Sequence, residues 1–133
     1  MDAQAKAVVR ECTARSEEER VTFPEVVMKL TAAGVERYHA DLTRAEKTYY
    51  MPDGSSEVVP TVPLAAETAT AFSGAGVEAA VRAIQAQTIS YKTFCERIMA
   101  AGCVGYVVSL AGRRAVYYGR TADSYVEPFP GAK

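Results

Sequence analysis

The chain has 133 residues, a net charge of −1, 49% apolar residues and 23% charged ones, which fits a single domain able to bury its own core without a disulfide or a metal. The near-neutral balance lacks the basic excess of a nucleic-acid binder, and no apolar run approaches the roughly 20 residues of a membrane span. Neither nucleic acid nor a membrane is therefore expected as a partner. Cys12, Cys95 and Cys103 are odd in number and form no C-x-x-C pair. With an N-terminus that lacks a signal-peptide pattern, they predict reduced thiols in a cytoplasmic protein.

The first predicted element is an amphipathic helix from about Asp2 to Ala14, with Ala5, Val8, Val9 and Cys12 on one face. The "SEEER" stretch that follows reads as a solvated helix end. Thr22-Phe-Pro-Glu25 is then a capping box with proline in the first turn. Val26, Val27, Leu30 and Ala33 recur at helical spacing until Gly34, which can take the left-handed conformation that stops a helix. Past Gly34 the period drops to two. In "VERYHADL", Tyr38, Ala40 and Leu42 alternate with Arg37, His39 and Asp41, so a strand with one buried and one wetter face is expected. Short turns lead to a second strand ending in Tyr49-Tyr50 and a third near Val58, with Pro52-Asp53-Gly54 as the intervening turn signal.

The chain then says nearly the same thing again. Val21–Pro60 aligns without gaps on Ile89–Pro128, an offset of 68 positions. Matched pairs include Gly34/Gly102, Tyr38/Tyr106, Leu42/Leu110, Tyr49/Tyr117, Tyr50/Tyr118 and Pro60/Pro128. Ser90 stands at the cap position of Thr22, and a helix after Ser73 precedes this second unit. Such fixed-offset similarity predicts an internally duplicated α+β fold. Each half would be helix, helix and a three-stranded antiparallel meander, the halves related by a pseudo-twofold axis with helices on one face of the sheet. The expected layout is one domain over 1–133, with repeat 1 over about 2–60, a Pro- and Ala-rich connector over 61–72, and repeat 2 over 73–130.

Chemistry-bearing residues are few. His39 is the only histidine, so a nucleophilic site would pair it with Cys103 or Cys12, or with Asp41 as orienting group. Three scattered cysteines and one histidine make poor metal spacing, so neither metal nor cofactor is expected. Each Tyr-Tyr pair must put one ring inside and one outside, and a slip of one residue would exchange them. Outward tyrosines near Arg37, His39 and Lys47 would form an aromatic-polar binding surface. Candidate ligand or partner contacts are thus Arg37, His39, Asp41, Lys47, Tyr49, Tyr50, Tyr117 and Tyr118. The second copy keeps Gly102, Tyr106 and Tyr117-Tyr118 but lacks Arg37, His39, Asp41 and Lys47, so any function peculiar to the first copy resides in those four.

The strings "FPEVVMKLTAAGVERYHADL", "KTYYMPDG", "IMAAGCVGY" and "AGRRAVYYGR" resemble the YdfO/YbcV-like family of small bacterial and prophage-encoded proteins of unknown function, sometimes labelled "phage envelope protein". The resemblance covers nearly the whole chain and implies a compact α+β fold without implying an activity. The function expected is a non-enzymatic binding or interaction module. It would use the seam between the repeats or the open sheet face, with a small ligand, a protein partner or a second copy of itself. The alternative is a small enzyme using His39 with Cys103 or Asp41.

Overall fold

The computed structural model describes residues 1–130, so the last three positions of the expected 1–133 domain lie outside the described residues. The elements run α1 (Ala3–Glu17), α2 (Phe23–Ala32), β1 (Arg37–Asp41), β2 (Glu46–Tyr50), β3 (Ser56–Pro60), α3 (Gly74–Gln85), α4 (Tyr91–Ala100), β4 (Cys103–Ser109), β5 (Arg114–Gly119) and β6 (Ser124–Pro128). The α+β class and the helix-helix-meander order, met twice, are as expected.

Local chemistry sets the boundaries. The Asp2 carboxylate accepts from the Ala5 amide at 2.8 Å and starts α1, which runs one turn beyond the expected Ala14. At α2 the Glu25 carboxylate reaches back to the Thr22 amide at 3.1 Å and the Thr22 hydroxyl at 2.9 Å. Ser73 and Ser90 cap α3 and α4 by accepting from the amides of Gly76 and Thr93. Gly34 and Gly102 end α2 and α4 with φ of 85° and 89°, the left-handed stop that glycine adopts without a Cβ penalty.

The strands form one antiparallel sheet in the order β3-β2-β1-β4-β5-β6. Two meanders meet at the β1–β4 pair, where Arg37 lies opposite Ser109, His39 opposite Val107 and Asp41 opposite Gly105. His39 thus faces the residue at its own offset position. The backbone repeats with the same offset. All eight described residues with positive φ fall into four such pairs: Glu19/Gln87, Gly34/Gly102, Ala45/Arg113 and Gly54/Ala122. Equivalent hydrogen bonds recur as well, Thr61 to the Ala45 carbonyl and Phe129 to the Arg113 carbonyl, each at 2.9 Å.

The core lies between the helices and one face of the sheet. Val9, Leu30, Val77 and Ile98 from the four helices are fully buried, each contributing about 1.5–3 kcal/mol of apolar transfer free energy. Against them the sheet turns Tyr38, Ala40, Tyr49, Tyr106, Val108, Ala115 and Tyr117. Tyr49 and Tyr117 are therefore the inward members of the tyrosine pairs, while Tyr50 and Tyr118 are half-buried on the other face. Leu42, expected to continue the inward row, lies just past β1 and is only partly buried.

Candidate functional site

The sheet separates the expected site residues into two groups. Arg37, His39, Asp41, Tyr50 and Tyr118 occupy the helix-free face, whereas Lys47, Tyr49 and Tyr117 occupy the helix-covered one. The expected grouping of Lys47 with Arg37 and His39 is thereby corrected. Lys47 pairs with Ala40 and shares the parity of Tyr49, so strand alternation turns it into the core.

On the helix-free face His39 Nε2 shares a 2.6 Å hydrogen bond with the Tyr118 hydroxyl, the two rings lying nearly parallel at 5.9 Å. Asp41 does not orient that ring. Its carboxylate accepts from the turn amides of Thr43 and Arg44, both at 3.0 Å. The Cys103 thiol donates to the Gly105 carbonyl at 3.2 Å, and burial pushes its pKa up to about 11. Cys12 and Cys95 sit on α1 and α4, which cover the opposite face. No hydrogen bond among the described residues joins His39 to a thiol or to Asp41. Arg37 stacks over the Tyr50 ring at 4.3 Å and pairs with Glu36.

A cavity of about 310 Å³ opens on the other side, at the seam of the halves. Its walls come from the end of α1 (Glu17), the β1–β2 turn and Lys47, the connector from Thr61 to Ala65, and the first turns of α4 (Tyr91, Cys95). Lys47 is only 5% exposed, yet its ammonium makes no hydrogen bond or ion pair among the described residues. It rests 4.8 Å from the Tyr91 ring centroid and 5.9 Å from that of Tyr38, and burial draws its pKa below the ordinary lysine value. Glu17, beside it in the wall, is pushed up from the ordinary carboxyl value by burial, against the nearby Lys47 charge and a hydrogen bond from the Val62 amide. The Cys95 thiol is pushed up to about 11 by burial, so it stays protonated at neutral pH. Tyr91 and Tyr106 hydroxyls bond each other at 3.1 Å.

The corresponding place in the second half is plugged. At the offset positions Ala115 replaces Lys47, Gln85 replaces Glu17 and Phe129 replaces Thr61. Phe129 is buried, packing edge-on against Phe23 at 5.4 Å beneath the Arg113 guanidinium. The first half has a small hydroxyl residue where the second has a ring. That difference leaves room for the cavity.

Sequence reasoning identified Lys47 but missed its neighbours. Glu17 and Glu19, expected to be solvated, are both engaged: Glu17 walls the cavity, and Glu19 accepts from the α4 amides of Tyr91 at 2.7 Å and Lys92 at 3.2 Å. Cys95 read only as a reduced thiol, and Tyr91 was not singled out. Buried Glu127 went unremarked and has a full set of partners in Arg82 at 2.8 Å, Gln85 at 3.4 Å and the donating Tyr125 hydroxyl at 2.6 Å. No cluster of three or more His, Cys, Asp or Glu residues among the described ones is placed to hold a metal ion. No helix among them is long and apolar enough to cross a membrane. No protein-family model matches the chain, and no curated protein is significantly similar to it.

Proposed function

We propose that the chain is a small-ligand binding module whose ligand occupies the seam cavity over Lys47. The observation carrying this reading is a lysine only 5% exposed, in the wall of an open cavity, whose ammonium has no protein acceptor among the described residues and keeps only slight contact with solvent. A buried charge without a partner is costly, and a bound polar group offsets that cost. About 310 Å³ lies at the small end of ligand pockets, so the ligand is a small molecule rather than a peptide. The four offset pairs of left-handed residues support an origin of the two halves by internal duplication. On this reading the binding site arose where the copies diverged. Three buried free cysteines support a reducing, cytoplasmic setting. The family resemblance stands as a proposal beside this one and adds no chemistry to it.

The test is amide chemical-shift mapping of the ¹⁵N-labelled protein with cyclohexanol and benzyl alcohol as probes. The expected shifts are confined to Glu17, Lys47, Leu64, Tyr91 and Cys95 and disappear in the Thr61→Phe variant, which copies the native plug of the second half. Shifts confined to His39, Val107 and the rest of the helix-free face, or no saturable shifts at all, would overturn the reading.

A second reading has one observation in its favour. On the helix-free face the strand register puts Arg37 and Arg114 in one row and Asp41 and Glu46 in another, on either side of a central row containing His39 and Val107. Stacking two sheets about a twofold along the central row lays Arg37 over Asp41 of the partner subunit. Six strands of about five residues offer roughly 500 Å² per partner, below the approximately 800 Å² of a standard interface. The pairing is therefore a weak homodimer, and ligand binding in the cavity does not depend on it.

A further inference from the structure

Resting on the seam cavity as a ligand site, we infer that Lys47 is a carbonyl-capturing amine, forming a reversible imine with small neutral or cationic aldehydes. Three features of the cavity lead there. The lysine is almost wholly buried, and no carboxylate among the described residues holds it as a fixed ion pair. Its ammonium lies 4.8 Å from the Tyr91 ring centroid and 5.9 Å from that of Tyr38, contacts that by themselves favour the cation, so it is burial in the cavity wall that favours the neutral amine. The groups around it are Glu17 and Cys12 from α1, Tyr91 and Cys95 from α4, and Tyr38 from β1. Of these the Cys95 thiol stays protonated at neutral pH, and the nucleophile inferred is the Lys47 amine.

The charge of the walls selects the ligand. Glu17, Glu19 and Glu96 line the cavity beside Lys47 and Lys92, carboxyl groups that disfavour a ligand with its own carboxylate or phosphate, while the Asp41 and Glu46 side chains belong to the helix-free face. A neutral or cationic carbonyl compound enters without that repulsion. The neutral amine of Lys47 attacks the carbonyl carbon, forming a C–N bond while the π pair moves to oxygen. The nitrogen gives up a proton and the oxygen gains one, producing a carbinolamine. Protonation of the hydroxyl by the Glu17 carboxyl, and departure of water as the nitrogen lone pair forms C=N, leaves the protonated imine. Loss of its proton to the Glu17 carboxylate restores the acid. No oxidant or reductant takes part, and hydrolysis reverses the sequence.

The test is reductive trapping of the intact protein at pH 7 with propionaldehyde and cyanoborohydride, read by peptide mass mapping of Lys6, Lys29, Lys47 and Lys92. Each unit by which an amine pKa falls raises its neutral fraction about tenfold. Lys47 is therefore expected to be propylated faster than Lys6, Lys29 and Lys92. Glyoxylate, an anionic aldehyde, is expected to show no such preference. Cyclohexanol is expected to protect Lys47 alone, a control that needs no variant. Labelling of Lys6, Lys29 and Lys92 with Lys47 unmodified or no faster would overturn the inference. If the alcohols still shift the cavity amides in that case, only the imine falls and ligand binding stands. If they do not, both readings fall together.

Discussion

Lys47 leaves its ammonium only slight contact with water and no protein acceptor among the described residues, which costs free energy in the folded state. Replacement by methionine, of similar length and without charge, should stabilise the fold by about 1–3 kcal/mol at neutral pH, measured by urea denaturation. The sign of the pH dependence follows from the lowered folded pKa. Below it both folded and unfolded states hold the proton and the penalty is present in full. As pH rises toward the unfolded value of 10.5, the folded state releases its proton first, the unfolded state binds more, and wild-type stability rises relative to Lys47→Met. The advantage of the variant should therefore shrink through the alkaline range, and a constant advantage would argue against a perturbed amine. Of the facing groups, Tyr38 and Tyr91 are common to both proteins, whereas Cys12, Glu17 and Cys95 lose the Lys47 charge in the variant and their own titration enters the difference. A second buried polar contact, the 2.8 Å bond between the Thr13 and Tyr49 hydroxyls, predicts that Tyr49→Phe costs about 1 kcal/mol. Sequence placed Lys47 among the peculiar residues of the first half but turned it toward solvent. A lysine in an alternating strand reads as exposed, and the parity of β2 depends on a turn register that local residues do not reveal.

At the scale of elements, the two glycine stops share a conformation but differ in their surroundings. A Cβ at Gly34 would meet only the flexible Met51 Cε at 3.4 Å, whereas at Gly102 it would lie 2.2 Å from the Ala71 carbonyl oxygen. Gly34→Ala should cost about 1–2 kcal/mol for the left-handed backbone alone. Gly102→Ala, adding a clash with backbone, should cost about 2–5 kcal/mol. Thermal denaturation of the pair checks the order, which reverses if the connector yields freely. Caps, stops and strand alternation were legible because each is written in neighbouring residues: Thr22 with Glu25, Ser90 with Thr93, and glycine where the period changes. The role of Glu19 was not, because its partners are the α4 amides over 70 positions away in the chain. Nor was the cavity. It depends on Thr61 standing opposite Phe129 in the two halves, one position past the end of the clear sequence match.

For the molecule as a whole, the β1–β4 ladder makes one sheet of two meanders, each marginal alone. The helices bind the halves further through the α1–α4 contact and the Phe23–Phe129 pair. Unfolding should accordingly be one cooperative transition, with far-ultraviolet circular dichroism and tyrosine fluorescence coinciding. Separate transitions would mean that the halves are independent. The same joining of halves creates the cavity, since α1 and the β1–β2 turn supply one wall and α4 the other. A scaffold of two similar halves thus supports a cavity that only the first half lines with Lys47. The most direct measurement of that claim is a side-chain NMR titration of the Lys47 amine, with and without cyclohexanol. A midpoint below that of free lysine, displaced when the alcohol is added, is the predicted result. An ordinary lysine midpoint unaffected by the alcohol would contradict it.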